Sequence, residues 1–90
     1  MSAQVMAQLR SALEQAFAPT TLEIVDDSAA HAGHEGSRSG GHYRVKLVSA
    51  AFQGHSARER HRLIYAAVAP LLSGSVHALN IVARTPDEPL

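Results

Sequence analysis

The chain has 90 residues, no cysteine, and eight acidic and eight basic side chains. This length allows one small domain, and the lack of cysteine excludes a disulfide framework or a thiolate metal site made by this chain alone. Dedicated nucleic-acid binders usually carry an excess of Lys and Arg, so a neutral composition disfavours that class, although a local basic patch is compatible with it. No apolar stretch approaches the roughly 20 residues that span a bilayer. The first residues show no secretory pattern, so we expect a cytoplasmic protein without a membrane partner.

The first predicted element is an amphipathic helix. Its apolar residues recur at every fourth position and form one stripe: Val5, Leu9, Leu13 and Phe17. Pro19 disfavours a helical conformation in the residue before it, so the helix should end near Phe17. A short strand follows over residues 21–27, with Leu22 and Ile24 on one face.

Residues 29–41 are predicted to be a flexible loop. Four glycines, two serines and other small residues cannot bury enough apolar surface to hold one shape, and loops of this length in small domains are often functional. The next strand covers residues 42–49 and alternates in polarity. Tyr43, Val45 and Leu47 should face inward, and we expect the strand to pair antiparallel with the first one across the loop.

A second helix and a last strand complete the pattern. Ser56 and Glu59 have the spacing of a capping box, and Pro70 should kink the helix or split off its last turn. The last strand covers residues 76–83. Strict alternation puts His77 on the same face as Leu79, Ile81 and Ala83. The opposite face then carries Val76, Ala78, Asn80 and Val82. Since both faces are mostly apolar, we expect the strand to be buried on two sides, followed by a polar tail at 85–90.

The element order is helix, strand, strand, helix, strand. The last two strands are joined through a helix, so they should pair in parallel with a right-handed crossover. The sequence therefore predicts a single α+β domain over residues 1–90, with a three-stranded mixed sheet and helices packed on one of its faces.

The histidines are the main candidates for metal ligands. Six are present, with His77 in an otherwise apolar strand and His31 and His34 in the loop. A neutral imidazole binds borderline metals well. A strand histidine can equally be a core residue that hydrogen-bonds a carbonyl, and loop histidines can simply be solvated. The spacing of His31 and His34 also permits a weak Zn²⁺ or Cu²⁺ site on the loop alone, and His42 is a third candidate.

The second helix carries a basic cluster made of Arg58, Arg60, His61 and Arg62. It is either a solvated face or a docking surface for an acidic partner or for phosphates. The chain has no Gly-x-Ser-x-Gly elbow and no Gly-x-x-x-x-Gly-Lys phosphate loop, and its adjacent carboxylates diverge. We therefore expect a protein that is not an enzyme.

Five segments occur in the order typical of one known family. They are residues 22–28 with the glycine loop that follows, residues 42–49, Phe52-x-Gly54, residues 60–62 and the Val-His-Ala-Leu run at 76–79. Over about residues 5–86 the chain resembles the BolA-like proteins. The resemblance implies an αββαβ domain of the class II KH-like type, without the glycine loop that true KH domains use to bind RNA.

The family resemblance also implies a partner and a cofactor. BolA-like proteins pair with monothiol glutaredoxins and share a [2Fe–2S] cluster, to which the glutaredoxin cysteine and glutathione contribute thiolates. The resemblance places one ligand on His77 and the second on His31, three residues after Ser28, with His34 as the alternative. No cluster is expected in the isolated chain, whose role would be in iron–sulfur cluster trafficking or iron regulation.

Other functions stay open at this point. Some family members are described as transcriptional regulators, which would make the basic second helix a DNA-binding element. A third hypothesis is a stand-alone metal carrier. The sequence also allows the chain to form a homodimer.

Overall fold

A computed structural model describes residues 2–27, 41–72, 74 and 76–89 of the chain. Its elements, in chain order, are α1 (Ser2–Phe17), β1 (Thr21–Asp26), β2 (Gly41–Val48), a 3₁₀ turn (Ala50–Phe52), α2 (Ala57–Ala67), α3 (Ala69–Leu72) and β3 (Val76–Arg84). None of the helices in these ranges is long and apolar enough to cross a membrane.

The three strands form one mixed sheet in the order β1–β2–β3. β1 and β2 are antiparallel, and β2 and β3 are parallel, so the predicted α+β fold with its mixed sheet is confirmed. The end of β1 and the starts of β2 and β3 therefore lie together. We call this the histidine end (residues 26–27, 41–43 and 76–79) and the opposite one the closed end (residues 17–21, 48–52 and 83–88).

The helices cover one face of the sheet and bury the core there. The predicted inward face of β2 is confirmed, since Tyr43, Val45 and Leu47 are all buried. They pack with residues of α1, of the 3₁₀ turn, of α2 and of its C-cap: Leu9, Leu13, Phe17, Phe52, Ile64 and Val68. The other face of the sheet is open, and the side chains of Glu23, Val25, Arg44 and Asn80 are exposed there.

The predicted start and break of the second helix are both confirmed. The Glu59 N–H donates to Ser56 Oγ at 3.1 Å and the Ser56 N–H donates to Glu59 Oε1 at 2.8 Å, which completes the capping box. Helix α2 ends at Ala67, and the turn that contains Pro70 forms the separate helix α3. The break follows because proline has no N–H and its ring collides with the carbonyl four residues earlier.

Two predictions for β3 are wrong. Val76 was expected to face away from Leu79, but it lies in the core and is 1% exposed. The cause is a bulge, because Val76 and Ala78 pair with the consecutive residues Gly41 and His42 and leave His77 as an extra residue. The expected two-sided burial also fails, because nothing in the described part of the chain covers the open face. Alternation along β3 therefore cannot be counted across His77.

Candidate metal centre

The backbone of His77 lies in the bulge at the histidine end. The residues on either side of it pair with Gly41 and His42, which directly follow segment 28–40. The residues that flank this segment, 26–27 before it and 41–42 after it, are its two stems. The Asp27 N–H of the first stem donates to the His42 carbonyl oxygen of the second at 2.7 Å. Both stems are therefore tied together beside the strand position of His77.

Three predicted ligands are only partly described by the structure. His31 and His34 lie outside the described residues, and so does the side chain of His77. Their metal-binding roles stay predictions. What the structure adds is that the segment carrying both loop histidines leaves and re-enters the sheet next to the backbone of His77.

The described donors do not form a metal site by themselves. Among the described residues, no three His, Asp or Glu side chains lie close enough together to hold an ion. The chain also has no cysteine, so every thiolate ligand of a cluster must come from a second molecule. The histidines of this chain could therefore contribute nitrogen ligands but no sulfur ligand.

Next to the bulge, an ion pair holds the loop stem. Arg44 Nε lies 2.8 Å from Asp27 Oδ2, and Arg44 Nη2 donates to Asp27 Oδ1 at 3.3 Å. This two-pronged contact gives the carboxylate a fixed orientation. Asp27 also lines a shallow cavity of about 180 Å³, together with His42, Ala78 and Asn80. The lining thus includes Ala78, the residue that follows His77 in β3.

On the core side of the histidine end, Gly41 makes a close contact with Tyr43. A Cβ atom built on Gly41 would overlap with Tyr43 Cε2 and would lie 2.7 Å from the Tyr43 hydroxyl oxygen. Real Cβ atoms do not approach other atoms so closely, so the aromatic ring occupies the space that any other residue at position 41 would need. A larger residue at the point where the chain re-enters the sheet must therefore displace the Tyr43 ring.

The predicted docking cluster on α2 divides into two parts. Arg58, His61 and Arg62 are exposed, and their docking role stays a prediction. Arg60 differs because its side chain is only 11% exposed. Its guanidinium group donates to the carbonyl oxygens of His55 at 2.9 Å and Ala83 at 3.1 Å.

The remaining donors of Arg60 hold the segment after β3. They bind both carboxylate oxygens of Glu88, at 2.6 and 3.1 Å. These hydrogen bonds, together with one from the Thr85 N–H, lower the pKa of Glu88 to about 2. Arg60 is therefore engaged within its own chain and is not available to a docking partner in this arrangement.

A family model described as "BolA-like protein" matches residues 13–88. The chain belongs to the BolA-like protein family. It is 51% identical to "BolA-like protein 1" of Pongo abelii over 82 residues, which cover 91% of this chain and 58% of the relative. The chain thus spans little more than half the length of the relatives named BolA-like protein 1 that it matches.

Two further BolA relatives bear on fold and function. "DNA-binding transcriptional regulator BolA" of Escherichia coli (strain K12) is 41% identical over 81 residues, covering 90% of this chain and 75% of that protein. The "BolA domain of SufE1 from Arabidopsis thaliana" superposes with a TM-score of 0.82 at 44% identity, covering 92% of this chain and 93% of that one. The αββαβ BolA architecture implied by the resemblance is therefore confirmed.

One structural feature of this BolA-like chain was not predicted from its sequence. The composition of residues 85–90 predicts a polar tail, yet Thr85 is 3% exposed and its N–H donates to Glu88 Oε1 at 2.8 Å. The Thr-x-x-Glu spacing at 85–88 is the signal that could have revealed this turn. The pairing of Glu88 with Arg60 had no local signal, because the two residues are 28 positions apart.

Proposed function

We propose that this BolA-like chain is a non-enzymatic adaptor for iron–sulfur clusters. It pairs with a monothiol glutaredoxin and shares a glutathione-ligated [2Fe–2S] cluster, in cluster trafficking or iron regulation. The observation that carries the proposal is the strand register, which sets the backbone of His77 beside both stems of the segment that contains His31 and His34.

The chemistry of the donors supports a shared cluster. A chain without cysteine can contribute imidazole but no thiolate, so the partner and glutathione supply the sulfur ligands. A cluster with imidazole in place of thiolate carries less negative charge, and in Rieske-type centres this exchange raises the reduction potential.

The fold suits His77 to the rigid ligand role. Its backbone is held in β3 beside the paired strand β2, whereas a second ligand, His31 or His34, comes from the segment between β1 and β2. In this proposal the rigid ligand gives the cluster a fixed position on the sheet, and the segment completes the site when the partner arrives.

The decisive experiment mixes the full chain with a cluster-loaded monothiol glutaredoxin and glutathione. Visible circular dichroism reports the ligands of the cluster, and size-exclusion chromatography reports the complex. We expect a new spectrum and a larger species. His77→Ala should abolish the new spectrum and leave the far-ultraviolet spectrum of the chain unchanged, whereas His55→Ala, which removes an exposed histidine outside the basic cluster, should change neither.

Two results refine or refute this function. Separate His31→Ala and His34→Ala variants identify the loop ligand, since only one of them should lose the spectrum. Cluster sharing should also weaken as the pH falls toward about 6.5, because a histidine must be neutral to bind iron. A His77→Ala variant with an unchanged spectrum removes His77 from the site and contradicts the proposal.

A second candidate is a DNA-binding regulator that uses α2. The exposed Arg58 and Arg62 favour it, as does the similarity to the DNA-binding transcriptional regulator BolA of Escherichia coli. Such binding should weaken steeply with salt, because phosphate contacts release counterions. A gel retardation assay at two salt concentrations, with Arg58→Gln/Arg62→Gln beside His77→Ala, separates the candidates. Loss of DNA binding in the arginine variant alone supports the hypothesis of a DNA-binding regulator.

A further inference from the structure

The two outer strands of the sheet differ in how their edges are protected. Side chains of α2 cover the edge of β3, where Tyr65 and Arg60 donate to two backbone carbonyl oxygens of the strand at 3.4 and 3.1 Å. At the edge of β1, the guanidinium group of Arg10 lies 3.5 Å from the Leu22 carbonyl oxygen, which is long for a hydrogen bond. The edge of β1 is therefore the less protected one.

The pairing of β1 with β2 determines which backbone groups face this edge. The Asp27 N–H donates to the opposite residue His42, and hydrogen-bonded pairs alternate along an antiparallel ladder. The odd-numbered residues of β1 therefore bond β2, and the even-numbered residues direct their N–H and C=O groups outward: Leu22, Ile24 and Asp26. Within the described chain, no hydrogen bond reaches the backbone of Ile24 from the outer side.

The sequence of β1 does not block the addition of a strand. Residues 21–26 contain no proline and no lysine, which are the residues that commonly protect an edge, and three of the six are β-branched. Val25 is 44% exposed on the open face, more than any other large apolar side chain that the structure describes. An edge with these properties is suited to pairing with another strand.

One register allows β1 to pair with the β1 of a second copy. In an antiparallel pair related by a two-fold axis, outward-facing residues must lie opposite each other. The central register sets Ile24 opposite Ile24 of the second copy, and Leu22 opposite Asp26. Glu23 then lies opposite Val25 of the second copy on the open face of the sheet.

Charges favour this register over its neighbours. A shift by two residues in one direction sets Glu23 opposite Glu23 of the second copy, and a shift in the other direction sets it opposite Asp27, so that like charges meet. In the central register, Asp26 of the second copy lies beside Leu22, next to the guanidinium group of Arg10. Opposite charges therefore meet on both sides of the axis.

We propose that two copies of this chain associate through β1, so that their two three-stranded sheets join into one. A second copy fits this edge because β1 is complementary to itself in backbone groups, in faces and in charge. The arrangement leaves each β3 at an outer end of the joined sheet, so the proposal goes beyond the cluster and does not depend on it.

Analytical ultracentrifugation of the full chain over a wide range of concentrations tests the association. We expect the wild type to show an equilibrium between monomer and dimer. Val25→Glu places a carboxylate opposite Glu23 and should raise the dissociation constant about tenfold, because the contact occurs twice in the dimer. Val25→Lys places an ammonium group there and should lower the constant. Asn80→Glu, exposed on the same face but in β3, is the matched control and should leave it unchanged.

Cross-linking tests the register. The chain has no cysteine, so Glu23→Cys and Val25→Cys each introduce a single thiol, and both positions are exposed. When the two variants are mixed and mildly oxidised, the mixed cross-link should predominate, because position 23 lies opposite position 25 across the two-fold axis. Gln53→Cys, exposed but outside β1, should cross-link with neither variant.

Three results would overturn the proposal. The first is a wild-type chain that stays monomeric at every concentration. The second is a dimer that responds to neither charge at position 25 in variants whose far-ultraviolet spectra match the wild type. The third is a statistical distribution of mixed and unmixed cross-links, which would show that another register or another edge is used.

Discussion

The two ends of the sheet are built differently. At the closed end the backbone and side chains are linked by hydrogen bonds: the Ser49 N–H donates to the Arg84 carbonyl oxygen at 2.9 Å, and Ser49 Oγ donates to the Phe17 carbonyl oxygen at 2.6 Å. Arg60 adds its bonds to Ala83 and Glu88. At the histidine end, β3 bulges and the Tyr43 ring fills the space beside Gly41.

This difference indicates that the closed end stabilises the fold and that the histidine end serves binding. An end whose polar groups are satisfied within the chain has little left to offer a ligand, and so contributes stability. An end with an interrupted ladder gives up some stability, and bulges of this kind are common beside functional sites. The account therefore predicts that mutations at the closed end affect folding and that those at the histidine end affect cluster sharing.

The largest expected effect on stability comes from Phe52, a fully buried residue of the closed end. Its ring centroid lies 5.0 Å from that of Phe17. Phe52→Ala should lower the free energy of unfolding by about 3–5 kcal/mol, because it removes a large buried ring and leaves a cavity. Urea denaturation measures the loss. If Tyr43→Phe, at the histidine end, destabilises the chain as much, the proposed difference in role between the two ends is wrong.

A smaller loss is expected from Gly41→Ala. The added methyl group would meet the buried Tyr43 ring and displace it, at a cost of about 1–3 kcal/mol in unfolding free energy. Gly74→Ala is the matched control, because a Cβ at Gly74 meets nothing within 4 Å. Equal stabilities of the two variants in urea would show that the ring does not occupy this space.

The Arg60–Glu88 contact gives the closed end a dependence on pH. The pKa of Glu88 falls from 4.5 to about 2 in the folded chain, so its contribution is complete above pH 4.5 and is lost as the pH falls toward 2. Glu88→Gln should lower the Tm by several degrees near neutral pH, and the difference from the wild type should vanish toward pH 2. A constant difference across this range would mean that the charge of Glu88 does not stabilise the fold.

The smallest effect is expected for the exposed part of the basic cluster. Arg58→Gln and Arg62→Gln should each change the free energy of unfolding by no more than about 0.5 kcal/mol, because both side chains are solvated. Arg60→Gln on the same helix should lower the Tm clearly, since it loses the contacts with Glu88 and Ala83. Equal Tm values for the three variants would refute the distinction between Arg60 and its neighbours.

Local patterns were enough to predict most of the fold. The capping box at Ser56, the break at Pro70 and the inward face of β2 all depend on residues close in sequence, and the structure confirms them. The bulge at His77 could not be foreseen, because the apolar residues of β3 fit an unbroken alternation as well as an interrupted one. Only the pairing with Gly41 and His42 reveals it.

The candidate site was predicted only in part, because some of its features depend on residues that are far apart in the sequence. The family motif pointed to His77, and its strand was predicted correctly. The four cationic residues of α2 looked equivalent in sequence, since the partner of Arg60 lies far along the chain at Glu88. Tyr43 was predicted correctly as a core residue, and the close contact of its ring with Gly41 had no signal in the sequence pattern.

The most direct test of the central claim is the change in backbone amide NMR signals when cluster-loaded monothiol glutaredoxin is added to the chain. The account predicts that the signals of Gly41, His42, Tyr43 and of residues 76–79 shift or broaden, while those of Ser49, Ala83 and Glu88 stay in place. Changes confined to α2 and the closed end, with the histidine end unaffected, would contradict it.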